Sequence, residues 1–337
     1  MIREYELSLS TTTIQYLSAN IDDLTIKPIM VFFHGFPECS WAWEKYLLEL
    51  SAEYCVIAPD LPGYRFSEGF KSSNEYNIQN LIAVMAEFVE RILDDSSQGK
   101  VHLVAHDWGG AIAWPLAAFH ESLLHSLTII NAAHPSAFTR EMKDNLVQQE
   151  KSEYIADFMQ EDAVAQMQSN DFVLFRKLLG HQFLNSQSNT EGTENAIASG
   201  DSFAPQAKIS QQKKSLFTLQ QLSEYKKQWN DSRTLTNMLN YYRKMPQIKT
   251  KGYVSQQTPF KIPNIRINLP TLVIWGENDS AFVIDNLNGL DEWVPNLRIC
   301  KVPGASHWVH HEQPEYVMSS LSEFLINLLL NSDEKDE

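Results

Sequence analysis

Little in this 337-residue chain is positively charged, sulfur-bearing or continuously apolar, and each shortage closes off a class of function. Lys plus Arg number 27 against 42 Asp plus Glu, a formal net charge of −15 that repels nucleic acid and anionic lipid and leaves a small neutral apolar substrate as the better fit. No run approaches the roughly 18 to 20 apolar residues of a membrane span. The start, Met1 to Glu6, lacks the long apolar stretch of a signal peptide, so a cytoplasmic location is the expectation. The three cysteines, Cys39, Cys55 and Cys300, lie far apart, offer no metal-like pair and leave at least one unpaired; all read as buried thiols. A glycine-rich phosphate loop is absent, so nucleotide chemistry has no support. What the chain does have is 43% hydrophobic residues without strong bias, enough to bury a large core as one or two domains.

One stretch changes its period abruptly at a single acidic residue. Val101 to Ala105 is a short apolar run fit for a buried parallel strand, and Ala111, Ile112, Pro115, Leu116 and Ala117 continue as a mostly apolar helix. Asp107 sits at the joint. A strand that turns straight into a helix needs small neighbours where the backbones nearly touch, and Ala105, Gly109 and Gly110 supply them. The pattern small-x-Asp-x-small-small is the layout of a nucleophile elbow with Asp in place of Ser. An Asp there could equally serve only as a helix cap, so the rest of the chain has to decide.

From the start, Glu4 to Ser10 and Thr11 to Leu17 alternate and are rich in β-formers, which predicts two antiparallel edge strands. Pro28 to Phe33 is a continuous apolar run, expected as a strand covered on both faces, and it ends in His34-Gly-Phe-Pro-Glu38. A loop bracketed by Gly and Pro at the end of a central strand can aim the Phe36 N–H inward as one oxyanion donor, with the Trp108 N–H as the other. An ordinary strand-to-helix turn is the plainer alternative. Trp41 and Trp43 read as packing. Tyr54 to Asp60 gives another buried strand, Leu61-Pro-Gly-Tyr64 a turn, Ile78, Leu81, Met85, Phe88 and Ile92 a one-faced helix, and Leu127 to Asn131 the next strand. That order predicts a parallel sheet with crossover helices, whose ligands bind beyond the carboxyl ends of the strands.

After Asn131 the alternation stops. The stretch from His134 to about Ile262 is polar and helix-like, with helices expected over Met142 to Met167, Phe172 to Leu184, Gln220 to Asn230 and Leu235 to Met245, and a Ser/Asn/Gly-rich excursion at Asn185 to Pro205. Pro270 to Trp275 then resumes the buried-strand pattern, so the stretch reads as an inserted helical cap rather than a separate downstream domain. The expected division is a core in 1–133 and 263–330, a cap in 134–262 and a charged tail in 331–337. Leu297 to Val302 is a further strand, and the final helix carries Val317, Leu321, Phe324, Leu325 and Leu328 on one face.

Asp107, Asp279 and His307 follow three of these strands, in the nucleophile, acid, base order of the α/β-hydrolase layout. Asn131 ends the strand where an acid could alternatively sit, and an amide cannot carry the charge, so Asp279 is left to orient His307. Of ten histidines, His106 faces away from Asp107 along its strand and His310 and His311 lie on the following helix; each reads as structural. A carboxylate is a poor acyl nucleophile but can displace a leaving group at saturated carbon, leaving an ester on the enzyme. His307 then activates water against that ester while the Phe36 and Trp108 amides receive the oxyanion. The leaving group is an epoxide oxygen or a halide, and no cofactor or metal is required.

His34-Gly-Phe-Pro-Glu38, Ala105-His-Asp-Trp-Gly-Gly110, Trp275-Gly-Glu-Asn-Asp279 and Gly304-Ala-Ser-His-Trp308 together resemble the epoxide hydrolase and haloalkane dehalogenase branch of the α/β-hydrolases, over about Val31 to Pro314. The resemblance implies an α/β fold with an about eight-stranded, mostly parallel sheet flanked by helices and carrying an inserted cap. In the cap, Leu239-Asn-Tyr-Tyr-Arg243 resembles the epoxide hydrolase segment that carries one ring-opening tyrosine, which implies Tyr242, and Ser152 to Phe158 resembles the segment of the other, which implies Tyr154. Tyr225, Tyr241 and Tyr253 stay with packing or solvent. Pro62 departs from the Arg many relatives carry in that turn. Related dehalogenases have Asn where Phe36 stands, and fluoroacetate dehalogenases have Arg where Trp108 stands, so epoxide opening is the expectation and haloalkane or haloacid dehalogenation the alternative. An inactive binding protein on the same fold is a third reading, disfavoured by the intact triad. The oligomeric state stays open, a homodimer included.

Overall fold

The computed structural model describes residues 1–179, 217–245 and 261–333. Its strands are β1 (Arg3–Ser8), β2 (Thr13–Ser18), β3 (Ile29–Phe33), β4 (Cys55–Pro59), β5 (Val101–His106), β6 (Leu124–Ile130), β7 (Thr271–Gly276) and β8 (Leu297–Val302). They form one eight-stranded sheet in the order β1-β2-β4-β3-β5-β6-β7-β8. The β1–β2 and β2–β4 pairs are antiparallel and the rest parallel. One expectation is corrected here. Of the first two strands only β1 lies at an edge; β2 is paired on both sides, and its Ile14, Leu17 and Ser18 are fully buried.

The apolar runs follow from burial on both faces. Successive side chains of a strand point to opposite sides, so Ile29, Val31 and Phe33 enter one core cluster while Met30 and Phe32 enter the other. Helix α1 (Glu44–Leu50) packs on the second of these faces, and α2 (Ile78–Asp94) and α3 (Trp108–Phe119) on the first. Each fully buried large apolar side chain contributes about 1.5 to 3 kcal/mol, which leaves such a strand no position where a polar residue would be cheap. From β3 the chain passes to β4 on one side, then through α2 to β5 on the other. Connections that leave β3 and β5 therefore diverge and open a crevice at their carboxyl ends.

Between the adjacent strands β6 and β7 the described elements are helices: α4 (Pro135–Asp144), α5 (Leu146–Lys151), α6 (Ile155–Phe158), α7 (Ala163–Leu178), α8 (Leu219–Asn230) and α9 (Ser232–Arg243). The single helix expected over Met142 to Met167 is broken into pieces. Asn145 accepts from the Val147 and Gln148 amides and so caps α5 where α4 stops. Helix α7 is itself interrupted by non-helical backbone from Ser169 to Phe172. The end of the Phe172 to Leu184 segment, the Asn185 to Pro205 excursion and Tyr253 lie outside the described residues. After β8, α10 (Val309–Glu312) and α11 (Pro314–Asp333) close the second face, and α11 runs through Asn331, where the tail had been expected to begin. All three thiols are free; Cys39 and Cys55 are buried, but Cys300, on the edge strand β8, is only half-buried. Among the described residues no helix is long and apolar enough to cross a membrane.

Helix α8 is fastened to the loop after β3. The Trp229 indole N–H and the Gln228 amide donate to the Pro37 carbonyl at 2.8 and 2.9 Å, and the Tyr225 hydroxyl donates to Glu38 at 3.1 Å. Beside them the buried Arg65 bridges Glu224 of α8 at 2.9 Å and Asp60 of the core at 3.5 Å.

Candidate active site

Asp107 joins β5 to α3 with φ 49° and ψ −119°, a conformation that costs an L residue about 1 to 3 kcal/mol and persists only where its surroundings enforce it. The enforcement is close packing. A Cβ on Gly109 would come within 2.5 Å of the Phe33 carbonyl oxygen, and one on Gly35 would collide with the Asp107 side chain. Asp107 occupies the cap position of α3, yet its side chain makes no capping hydrogen bond. The carboxylate turns outward instead: Oδ1 accepts the Phe36 N–H at 2.8 Å, and Oδ2 lies 3.5 Å from His307 Nε2. Trp108 opens α3, where the first amides have no partner within the helix.

His307 follows β8, and its Nδ1 donates to Asp279 Oδ2 at 2.8 Å. Asp279 follows β7 and is buried, with Oδ1 accepting from the Ala281 and Phe282 amides at 2.6 and 3.0 Å. Asn131 donates to Asp279 Oδ2 at 2.7 Å and accepts the Gly276 N–H at 2.8 Å. The residue that the sequence offered only as an excluded acid thus orients the acid. Two more supports had no signal in the chain. Gln148 of α5 is fully buried, donating to the Ala281 carbonyl at 2.9 Å and accepting from the Val283 amide at 3.0 Å, and Lys151 donates to the Asp279 carbonyl. The helical insertion thus braces the acid's loop.

The electrostatics follow from this packing. Burial works against the charge on Asp107, but the hydrogen bond and charge of His307, then His106 and the Phe36 N–H, hold its carboxyl below the usual range. Burial likewise opposes Asp279, and His307 followed by Asn131 outweighs it. His307 is desolvated, which disfavours imidazolium, yet the Asp279 charge and the hydrogen bonds to Asp107 and Asp279 raise it to about 10.

A cavity of about 640 Å³ opens above Asp107, lined mainly by apolar side chains with Trp108, Tyr154, Tyr242, Phe138 and Phe282 among them. Tyr242 is wedged edge-on between Phe36, Trp108 and Phe158, with ring centroids 5.2, 5.1 and 4.9 Å away. Tyr154 stands across from it, 6.4 Å between ring centroids. Burial, reinforced by nearby Asp107, pushes both phenols above their ordinary range and keeps them protonated donors. Tyr241 and Tyr225 turn their hydroxyls elsewhere, to the Pro62 carbonyl at 2.8 Å and to Glu38. All seven residues singled out in the sequence, Asp107, Asp279, His307, Tyr154, Tyr242, Phe36 and Trp108, therefore meet at one place.

The chain matches the α/β hydrolase fold family over residues 28–314. It is 30% identical over 301 residues to epoxide hydrolase 4 of Mus musculus, covering 89% of this chain and 73% of that protein. Over 302 residues it is 29% identical to the AB hydrolase superfamily protein YfhM of Bacillus subtilis, covering 89% of this chain and 91% of that one. Among solved structures, a Bacillus megaterium epoxide hydrolase in complex with an inhibitor superposes with a TM-score of 0.75 at 26% identity, over 95% of this chain and 99% of that chain.

Proposed function

The chain belongs to the α/β hydrolase fold family, in its epoxide hydrolase branch, and we propose that it opens epoxides to vicinal diols through a covalent ester on Asp107. The observation that carries this reading is the placing of the Asp107 carboxylate between the Phe36 N–H and His307, with two protonated phenols across an apolar cavity.

The two oxygens of Asp107 are unequal, and that divides the work. Oδ1 already rests on the Phe36 amide, so Oδ2 attacks one epoxide carbon while the C–O bond to the ring oxygen breaks. Tyr242 and Tyr154 hold that oxygen and pass it a proton, so the alkoxide never has to exist bare in an apolar pocket. The imidazolium of His307 makes good the proton. With Asp107 neutralised as an ester, one of the two carboxylates that support imidazolium is gone, and the ring is released as a base. It takes a proton from water, whose oxygen attacks the ester carbonyl carbon; negative charge develops on Oδ1, facing the Phe36 and Trp108 amides. Collapse expels the diol and restores the Asp107 carboxylate beside His307 imidazolium. Asp279 holds the ring throughout and stabilises its charged form.

The division of the chain into a core of 1–133 and 263–330 and a cap of 134–262 is part of the same proposal. It is supported by the Ser136 hydroxyl, which donates to the Pro263 carbonyl at 2.5 Å and draws the two ends of the insertion together. The substrate is a small neutral apolar molecule that a 640 Å³ cavity can enclose. The enzyme works in the cytoplasm, apart from nucleic acid, as a monomer or homodimer. A turnover screen on terminal, aromatic and fatty epoxides beside haloalkanes tests the reading: diol from at least one epoxide class is expected, and halide release with every epoxide untouched would replace it by dehalogenation.

A further inference from the structure

Behind His307, on the side away from the cavity, four ionisable side chains crowd together in the interior. Glu38 comes from the loop after β3, His106 from the end of β5, and His310 and His311 from α10; Glu38 and His106 are 0% exposed and His310 is 1%. Neither Glu38, His106 nor His310 lines the cavity over Asp107.

The geometry of His106 poses a problem in its neutral form. Its Nε2 lies 3.0 Å from the His307 carbonyl oxygen, which can only accept, so Nε2 carries the ring proton and Nδ1 is left with a bare lone pair. That Nδ1 faces a carboxylate oxygen of Glu38 at 3.5 Å and has no hydrogen-bond partner. Two acceptors thus confront each other in a space sealed from water, and a buried confrontation of that kind calls for a cation between them.

We propose that Glu38, His106 and His310 form a binding site for one divalent transition-metal ion of the zinc or cobalt kind, seated directly beneath His307. One ligand atom from each of the three residues lies within 4.8 Å of the others. Ligand bonds of about 2.0 to 2.2 Å would draw these atoms together by roughly 1 Å. Two imidazoles and a carboxylate suit zinc, cobalt or nickel rather than the all-oxygen preference of calcium or magnesium. The surroundings are those of a ligand set too: the distal nitrogen of His106 is tied to a backbone carbonyl, and Glu38 accepts from the Tyr225 hydroxyl at 3.1 Å. His311, 2.5 Å from the other oxygen of Glu38, fixes the carboxylate from the opposite side. The rings of His106 and His307 are 4.7 Å apart between centroids, so an ion here would bear on His307 without obstructing substrate.

Chelator-treated protein, equilibrated with cobalt(II) chloride and followed by visible absorption and calorimetry, tests this directly. One cobalt per chain is expected, displaced by zinc, with two imidazole nitrogens and a carboxylate oxygen in the first shell by X-ray absorption; that last readout needs no variant. His310→Gln and Glu38→Gln should each weaken binding about tenfold or more. His125→Gln, at an exposed histidine stacked on His102, should leave it unchanged. Failure to bind one cobalt, a first shell without imidazole, or full binding by folded His310→Gln would overturn the proposal.

Discussion

Two sets of side chains meet over the cavity, and the molecule holds them by different means. At the ends of β5, β7 and β8, Asp107, Asp279 and His307 are fixed by backbone: a strained elbow, amide donors to both carboxylates and an Asn131 bridge. In the stretch between β6 and β7, Tyr154 at the start of α6 and Tyr242 on α9 are held by aromatic rings packed edge to face. The contrast teaches where each part of the specificity resides. A carboxylate nucleophile backed by a raised imidazole commits the sheet to making and breaking an ester, whatever leaves. The phenols decide what can leave, because only an oxygen that departs as alkoxide needs a proton. Removing a phenol hydroxyl leaves the ring that packs there in place, whereas the elbow tolerates no side chain at Gly35 or Gly109.

The largest effects are expected on the sheet side. His307→Gln should leave ester formation standing and stop its hydrolysis, lowering turnover about 10⁴-fold. Intact mass after mixing with substrate should show the adduct, and peptide mapping should place it on Asp107; robust native turnover with no adduct in the variant would mean that water attacks the epoxide directly. A smaller loss, about 10³-fold, is expected for Asp279→Asn, since the amide can still hydrogen-bond the ring but cannot stabilise imidazolium. Asn131, already an amide in contact with this position, offers no substitute. Single-turnover ester hydrolysis as fast as in the native enzyme would remove Asp279 from its role.

The gentlest probe is pH, which separates the two steps. Alkylation needs ionised Asp107 and protonated phenols; the first is held below and the second above its ordinary range. Its rate should therefore stay level from about pH 4 to pH 10, falling only in stronger acid or base. Ester hydrolysis needs neutral His307, whose value of about 10 in the resting enzyme rests partly on the Asp107 charge. With that charge esterified the value falls, so hydrolysis should gain about tenfold per pH unit up to an inflection below 10 and then level off. Stopped-flow measurement of both steps checks this, and a level hydrolysis limb down to pH 5 would contradict it.

What the sequence revealed divides along the same line. The parallel strands were legible because burial on both faces forces continuous apolar runs such as Ile29 to Phe33, and the triad because its members follow three of those runs. The inner position of β2 was not, since a half-polar strand reads the same at an edge or beside one. In the insertion, Asn145 was lost inside a helical pattern because its side chain competes locally for backbone amides and starts a new helix. Gln148, Asn131 and the Glu38 cluster were out of reach for a different reason. Each acts on residues far along the chain, Gln148 on the loop after β7 and Glu38 on His106 and His310. Glu38 stands in the His34 to Glu38 motif, but nothing in the motif says what it faces.

The claim that the sheet makes the ester while the phenols choose the leaving group is tested most directly by one measurement: the pre-steady-state alkylation rate of the Tyr154→Phe, Tyr242→Phe double variant on an epoxide and on a bromoalkane. Loss of either hydroxyl alone should slow epoxide opening by about 10²-fold or more, as removal of an oxyanion donor does. The double variant should abolish it while leaving whatever bromoalkane alkylation the native enzyme has nearly unchanged. Unchanged epoxide opening in the double variant, or native alkylation by the bromoalkane alone, would contradict the account.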